Sequence, residues 1–332
     1  MAKAQKNKEE GVESLSPLDK AMKALEAKFG KGTVMLANSV NRDLEVVSTG
    51  SIALDIATGI NGYPIGVLIE FLGMESSGKS TGSIHAIKEF QKLPGKQVLV
   101  NAEDAFDPKY AEKIGVDLSR LIVLQPSCSE DAYNQIEILI RTGEIRLVVI
   151  DSHTSLMPKV VVDGEVGQAT IGLQARINSI ALGKIKPLLR ANRCTMLALS
   201  QIRQAIASMG ETNISTGGLA YRFYSDMRIK FAKIKTDKED EVSVTEVSVV
   251  KNKCAPPWGK AVFNIQWGKG FDYMQEIIDY ATELGYIKVG GAWYTIGEST
   301  KVQGSEKVKE FFNDNPEYYT QLCMDVLEKI KG

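Results

Sequence analysis

Between residues 45 and 270 the chain alternates short apolar runs with segments whose apolar residues recur at helical spacing. The runs 66–72, 97–100, 121–124, 147–150 and 196–199 read as strands, and 79–90, 130–141 and 172–189 read as the helices between them. Strands this uniformly apolar must be covered on both faces, and intervening helices provide that cover. The expected fold class is therefore α/β, a mainly parallel twisted sheet with helices on both faces. The rhythm changes at 227–235 and 242–250, where apolar and polar residues alternate around the charged tip 236–241; this predicts a hairpin with a solvated turn. Beyond Gly270 the pattern predicts a helix over 273–284, two short strands separated by Gly290 and Gly291, and helices from Ser305 and over 316–330. Near the start, Ser16 and Pro17 cap a helix carrying Ala21, Met22, Leu25 and Phe29 on one stripe, with Gly30 as its stop. So short a helix cannot hide its stripe alone and must pack on its own core or on a neighbouring subunit. Three parts are expected: 1–44, a disordered segment plus a helical oligomerisation module; 45–270, the core; and 271–332, a small C-terminal α/β domain.

Composition narrows the field. Of 332 residues, 40 are basic and 41 acidic, a net charge of −1, so a nucleic-acid site would have to be a local patch. No apolar run approaches the roughly 20 residues needed to span a bilayer. Residues 1–11 are polar and lack the apolar stretch of an export signal. Cys128, Cys194, Cys254 and Cys323 lie far apart, and the chain has only two histidines, which disfavours zinc, disulfide and histidine-triad chemistry. A cytoplasmic protein is expected.

The chemistry concentrates at Gly73-Met74-Glu75-Ser76-Ser77-Gly78-Lys79-Ser80, which follows an apolar strand and opens a helix. Glycines let the backbone wrap phosphates, so that amide N–H groups and the helix N-terminus face their charge. Lys79 would reach the β- and γ-phosphates of ATP, Ser80 would ligate Mg²⁺, and Thr81 completes the set expected to bind ATP. Asp151, ending the run Leu147 to Ile150, is the expected second metal ligand at the C-terminal edge of the sheet. Hydrolysis also needs a group to orient water. Glu103 and Asp104 both stand at the same edge, and because adjacent strand residues face opposite ways only one should serve.

These motifs, with Ser48-Thr49-Gly50-Ser51, Ala102-Glu103, Ile150-Asp151-Ser152, Gln201-Ile202-Arg203, Thr216-Gly217-Gly218, Val249 to Lys253 and Gly291-Ala292-Trp293-Tyr294, resemble the bacterial RecA recombinase family over essentially the whole chain. The resemblance implies a RecA-type phosphate-loop ATPase core and a DNA-dependent ATPase. Such a protein polymerises on single-stranded DNA as a helical homo-filament, pairs it with double-stranded DNA and exchanges strands in recombination and repair, with repressor or accessory recombination proteins as further partners. It favours Glu103 as the water-activating residue. It makes Gln201 a γ-phosphate sensor, places Asp107, Tyr110 and Trp267 around the adenine, and sends Lys251 and Lys253 across the filament interface to a neighbour's ATP. Two DNA-binding loops follow from it. One carries Gly164, Glu165 and Gly167 and leads to Arg176; the other runs from Arg203 to Thr216, Gly217 and Gly218.

Several positions depart from the family pattern. Met74 replaces proline, Ser80 threonine, and Asn101 aspartate. His153 replaces a small apolar residue and is expected to be a surface or loop side chain. The second loop is one residue shorter, with Ala205, Met209 and Leu219 at altered places and Arg203 as its one cation between Gln201 and Tyr221. Fewer phosphate contacts predict weaker, less salt-sensitive DNA binding. A helicase or motor built on the same core, and a DNA-coating filament with negligible hydrolysis, are the alternative functions.

Overall fold

The computed structural model describes residues 16–30, 34, 36–37, 44–165, 172–204, 213–215, 219–237, 241–297 and 300–331. It comprises two compact units, 1–44 and 45–332. In the first, α1 (Pro17–Phe29) starts in a capping box: Ser16 Oγ accepts from the Asp19 N–H at 3.1 Å, and the Asp19 carboxylate accepts from the Ser16 N–H at 3.2 Å. The expected disordered segment 1–11 lies outside the described residues.

The second unit runs β1 (Val46–Val47), α2 (Ile52–Ala57), β2 (Tyr63–Pro64), β3 (Leu68–Gly73), α3 (Lys79–Phe90), β4 (Lys96–Asn101), α4 (Pro108–Ile114), β5 (Leu121–Leu124), α5 (Ser129–Arg141) and β6 (Ile145–Asp151). It continues through α6 (Lys159–Val162), α7 (Leu173–Ala191), β7 (Thr195–Gln204), β8 (Asn213–Ser215), α8 (Ala220–Tyr224), β9 (Met227–Asp237), β10 (Val242–Asn252), β11 (Lys260–Gln266) and β12 (Gly270–Phe271). Then come α9 (Tyr273–Glu283), β13 (Ile287–Gly290), β14 (Trp293–Ile296), β15 (Thr300–Gln303), α10 (Ser305–Asp314) and α11 (Pro316–Lys331).

The main sheet has the order β12-β11-β10-β9-β3-β7-β6-β4-β5. From β9 to β5 all neighbours are parallel. Strand alternation sends successive side chains to opposite faces, and the core divides accordingly. Ile69, Phe71, Leu147, Val149, Leu197 and Leu199 pack with Ile84, Ile87 and Phe90 of α3. Leu68, Val148, Ile150, Met196 and Ala198 pack with Ile136 and Ile140 of α5 and Leu182 and Ile185 of α7. The expected parallel sheet covered on both faces is therefore present.

Three features exceed the sequence expectation. The hairpin of β9 and β10 is fused into the sheet, because β9 pairs in parallel with β3 on its other edge, and β11 and β12 extend it further. Strand β7 continues past the apolar run to Gln204, because Ile202, Arg203 and Gln204 find backbone partners in Ser215, Ile214 and Asn213. In the C-terminal segment the two expected strands gain a third, β15, antiparallel to β14. A polar strand with a backbone partner is invisible to hydrophobic periodicity.

The C-terminal segment has its own core of Ile277, Ile278, Val308, Phe312 and Val326, which Ile52 of α2 joins. At that seam the buried Glu276 accepts from Ser51 Oγ at 3.0 Å and the Ala53 N–H at 2.9 Å, while its Oε1 has no partner among the described residues. Burial outweighs those two bonds and pushes its pKa from 4.5 up to about 7. The folded state thus prefers the protonated acid, so the group's stabilisation is complete below about pH 4.5 and is lost as pH rises through about 7. Urea unfolding from about pH 5 to 8 should show this contribution fall by the order of 3 kcal/mol. Glu276→Gln should flatten the pH dependence; an equally steep profile in that variant would assign it to other groups.

Candidate active site

Parallel register brings the candidate residues to one edge. Gly73 at the end of β3 lies opposite Gln201 of β7, and Asn101 at the end of β4 opposite Asp151 of β6. These are the C-terminal ends of the strands, where open α/β sheets collect their ligands.

The loop 74–78 leaves β3 and turns into α3 through Ser76 at φ 55° and Gly78 at φ 96°. A side chain on either flanking glycine would collide. A Cβ on Gly73 would lie 2.5 Å from Ser77 Oγ and 2.6 Å from the Phe231 carbonyl, and one on Gly78 would lie 2.5 Å from Ile265 Cδ1. Lys79, only 7% exposed, folds back under the loop, and its ammonium donates to the carbonyls of Gly73 at 3.0 Å and Met74 at 2.7 Å. Burial lowers its pKa, against the opposing pull of Asp151, Glu103 and Glu75. An ammonium so placed is stabilised by an incoming polyphosphate. Met74, Glu75 and Ser76 are exposed around the rim, whereas Ser77 is buried.

Asp151 sits behind this loop. Burial raises its pKa to about 6; a hydrogen bond from Ser80 lowers it, and the nearby Glu103 charge raises it further. A partly desolvated carboxylate touching a hydroxyl at the root of a phosphate loop suits Mg²⁺, which takes one or two protein oxygens and completes its shell with water and substrate phosphates. Among the described residues no cluster of three or more His, Cys, Asp or Glu side chains could hold a metal by itself.

The two rival carboxylates separate clearly. The Asp151 carbonyl anchors the N–H groups of Ala102 at 2.9 Å and Glu103 at 3.3 Å. Glu103 Oε1 then accepts from Ser152 Oγ at 2.7 Å, Gln201 Nε2 at 2.8 Å and Ser155 Oγ at 3.0 Å. Asp104, at φ 53°, turns away and receives the amides of Asn101 at 3.4 Å and Gln125 at 3.3 Å. Asn101 also accepts from the Ala105 N–H at 3.1 Å, so this residue braces the turn. From sequence, Ser152 is named only as part of a motif, with no role, and Ser155 is missed, since serines near a strand end carry no pattern of their own.

Beside the loop, residues 76–81 and the side chains of Ser243, Thr245, Ile265 and Trp267 enclose a cleft of about 220 Å³. Trp267 is 47% exposed and donates from its indole to Ser243 Oγ at 3.0 Å. The alternation of β10 puts Ser243 and Thr245 on one face, but only the packed structure shows that this face lies against the phosphate loop. Tyr110 reaches the same wall, its hydroxyl 3.2 Å from Thr81 Oγ1. Asp107 is not among the cleft residues; its Oδ1 caps α4, accepting from the N–H groups of Lys109 and Tyr110.

Lys251 and Lys253 are drawn elsewhere. Lys251 donates to the carbonyls of Arg222 at 2.7 Å and Phe223 at 3.2 Å, at the end of α8, and Lys253 pairs with Asp226 at 3.2 Å. Lys186 also pairs with Asp226 at 2.8 Å. Of the residues expected to touch DNA, Gly164 and Glu165 are exposed after α6, and Arg176 is exposed on the first turn of α7. Arg203 has its backbone in β7, not in a loop, and its side chain lies outside the described residues, as do Gly167, Thr216, Gly217 and Gly218.

His153 corrects an expectation. Its backbone does lie in the turn after β6, but its side chain is not on the surface: it is completely buried, with Nε2 2.6 Å from Ser200 Oγ and its ring stacked on Tyr221. Burial holds its pKa down at about 3, so the ring is neutral.

The RecA N-terminal domain family matches residues 16–272, and the RecA C-terminal domain family matches 275–331. The chain is 40% identical over 325 residues to Protein RecA of Streptomyces venezuelae, covering 96% of this chain and 86% of that protein. To Protein RecA of Nocardioides sp. it is 41% identical over 318 residues, covering 94% and 91%. To Protein RecA of Cytophaga hutchinsonii it is 42% identical over 326 residues, covering 96% and 92%.

The crowding at Gly73 makes a direct test of the loop geometry. Gly73→Ala should force β3 and β9 apart and cost about 1–3 kcal/mol in urea unfolding, with loss of nucleotide binding by equilibrium dialysis. Unchanged stability together with unchanged binding would show that the close approach of strand and loop is not needed.

Proposed function

The chain belongs to the RecA family, and we propose that it works as follows. It is a DNA-dependent ATPase of homologous recombination and repair. Like its family it binds DNA and assembles as a filament. The substrate is ATP with Mg²⁺, the assembly is a helical homo-filament on single-stranded DNA that receives double-stranded DNA, and residues 45–270 form the catalytic core between the oligomerisation segment 1–44 and the C-terminal domain 271–332.

The observation that carries this reading is the 2.8 Å hydrogen bond from Gln201 to Glu103, made at the level of the phosphate loop by a strand that runs on into the second loop. Residues 73–81 would wrap the phosphates with backbone N–H groups, and Lys79 would exchange its carbonyl partners for β- and γ-phosphate oxygens. Ser80 and Asp151 would hold Mg²⁺, whose charge offsets that on the phosphate oxygens. Glu103 orients a water on the γ-phosphorus and takes its proton as the bond to the β–γ bridging oxygen breaks, leaving ADP and inorganic phosphate. Gln201, Ser152 and Ser155 all donate to one carboxylate oxygen of Glu103. A γ-phosphate that draws the Gln201 amide away frees that oxygen for water and at the same time pulls on the strand leading to Arg203. Trp267 and Tyr110 would flank the adenine in or beside the cleft, and Asp107 would support Tyr110 by capping its helix. Lys251 and Lys253, at the end of β10, would serve a neighbour's ATP once the filament forms. Gly164, Glu165, Gly167, Arg176, Arg203, Thr216, Gly217 and Gly218 would contact the DNA backbone.

Measurements of ATP turnover test the assignment. ATP turnover should rise on adding single-stranded DNA; a rate indifferent to DNA would favour an idle coat. Glu103→Gln should bind ATP and lower turnover by about 10²–10⁴, whereas Asp104→Asn should stay near the parent rate. The reverse result would move the base to Asp104, and Lys79→Ala turning over normally would remove the phosphate-loop assignment altogether.

A further inference from the structure

Behind the active site lies a buried polar chain that the phosphate chemistry does not use. His153 Nε2 is 2.6 Å from Ser200 Oγ, Ser200 Oγ donates to Glu70 Oε1 at 2.7 Å, and Arg228 Nε donates to Glu70 Oε2 at 2.6 Å. A serine hydroxyl has one proton. That proton goes to the carboxylate, so the Ser200 oxygen accepts from His153, and the neutral imidazole must carry its hydrogen on Nε2. His153 Nδ1 is then a bare acceptor, buried with no partner among the described residues. Leaving it so costs stability that a phenyl ring in the same volume would not. The ring's polarity is therefore explained by the bond it makes, not by packing.

The other contact of that ring points to what the bond is for. His153 stacks on Tyr221 with centroids 3.7 Å apart and planes 17° apart. Tyr221 shares a hydrogen bond with Tyr133 at 2.9 Å, and Tyr133 donates to Asn178 Oδ1 at 2.7 Å, so the Tyr221 hydroxyl is the donor to Tyr133. Ser200 immediately precedes Gln201, and Glu70 lies on β3, which ends at Gly73. Tyr221 is on α8, directly after the second loop, and Asn178 is on α7, directly after the first. One imidazole touches both the strand that carries the sensor and the helix on which the second loop ends.

We propose that His153 is a positioning residue that couples DNA at the second loop to the Gln201–Glu103 pair. Its Nε2–H holds Ser200, and with it the main chain at Gln201, in step with the Tyr221 ring, so a shift of α8 is passed through a closely packed interior to the sensor. The proposal rests on the reading that Gln201 and the second loop act together.

The test uses the full chain and an oligothymidylate. His153→Phe keeps a ring against Tyr221 and removes the donor; His153→Gln keeps an N–H donor and removes the ring. For His153→Phe, ADP binding and DNA-free turnover should stay within about twofold, while kcat at saturating DNA falls by about tenfold, a usual size for coupling between sites. The DNA concentration at half-saturation should not move. His153→Gln should recover part of the lost stimulation. Ser200→Ala, which cuts the same bond from the other end, should match His153→Phe, and the double variant should lose no more than either single one. Should His153→Phe fail to fold, Ser200→Ala and His153→Gln carry the decision. Full stimulation in His153→Phe or Ser200→Ala, or losses that add in the double variant, overturns the coupling and leaves His153 as packing. A parent protein that DNA does not stimulate overturns the functional reading and this one together, and because the parent is measured first the two failures are told apart.

Discussion

The site depends on the register of four parallel strands. Gly73 faces Gln201 and Asn101 faces Asp151, so the loop 74–78, Gln201, Asp151 and the turn that carries Glu103 all emerge at one level. Parallel strands make this possible because each is returned to the same edge by a helix, and each helix must in turn be buried on the sheet. A slip of one residue in β7 would exchange the two faces of that strand, sending Leu197 and Leu199 away from α3 and Gln201 away from Glu103. The hydrophobic core thus holds these candidate groups in place.

That edge is crowded with charge that is only partly compensated. Lys79 is buried beneath carbonyls, Asp151 is raised toward neutrality by burial, and Glu103 lies close enough to raise it further. A ligand that brought an anion to the ammonium and a cation to the carboxylate would relieve both strains. Bringing these groups together costs energy that binding of such a ligand would recover. The antiparallel extension contributes in a different way. By fusing β9 to β3 it lays Ser243, Thr245 and Trp267 beside the loop, turning a phosphate grip into a cleft.

The buried chain from Glu70 through Ser200 and His153 to Tyr221 shows how such a site can be linked to a distant surface without charge transfer or large movement. Each member is either bonded or stacked, with Glu70 on β3, Ser200 on β7, His153 in the turn after β6 and Tyr221 on α8. Interiors at this density transmit small displacements, and discrete hydrogen bonds give them direction.

Much was legible from the residues in order. The phosphate loop, its strand and helix, Asp151 and the parallel sheet follow from local chemistry and periodicity, because glycine conformation, amide donation and apolar alternation act over a few neighbours. Residue order alone does not separate Glu103 from Asp104, which are neighbours at the same strand end; the family resemblance favours Glu103, and the structure gives the two different surroundings, with donors from Ser152, Ser155 and Gln201 on Glu103 and a main-chain turn at Asp104. Nor could periodicity foresee the polar end of β7, which forms because β8 supplies backbone partners. His153 was misread as surface because a histidine after a strand end has no neighbour in sequence that would bury it. Ser200 and Tyr221 do so from 47 and 68 positions away, a proximity that exists only once the sheet has closed and α8 has packed on it.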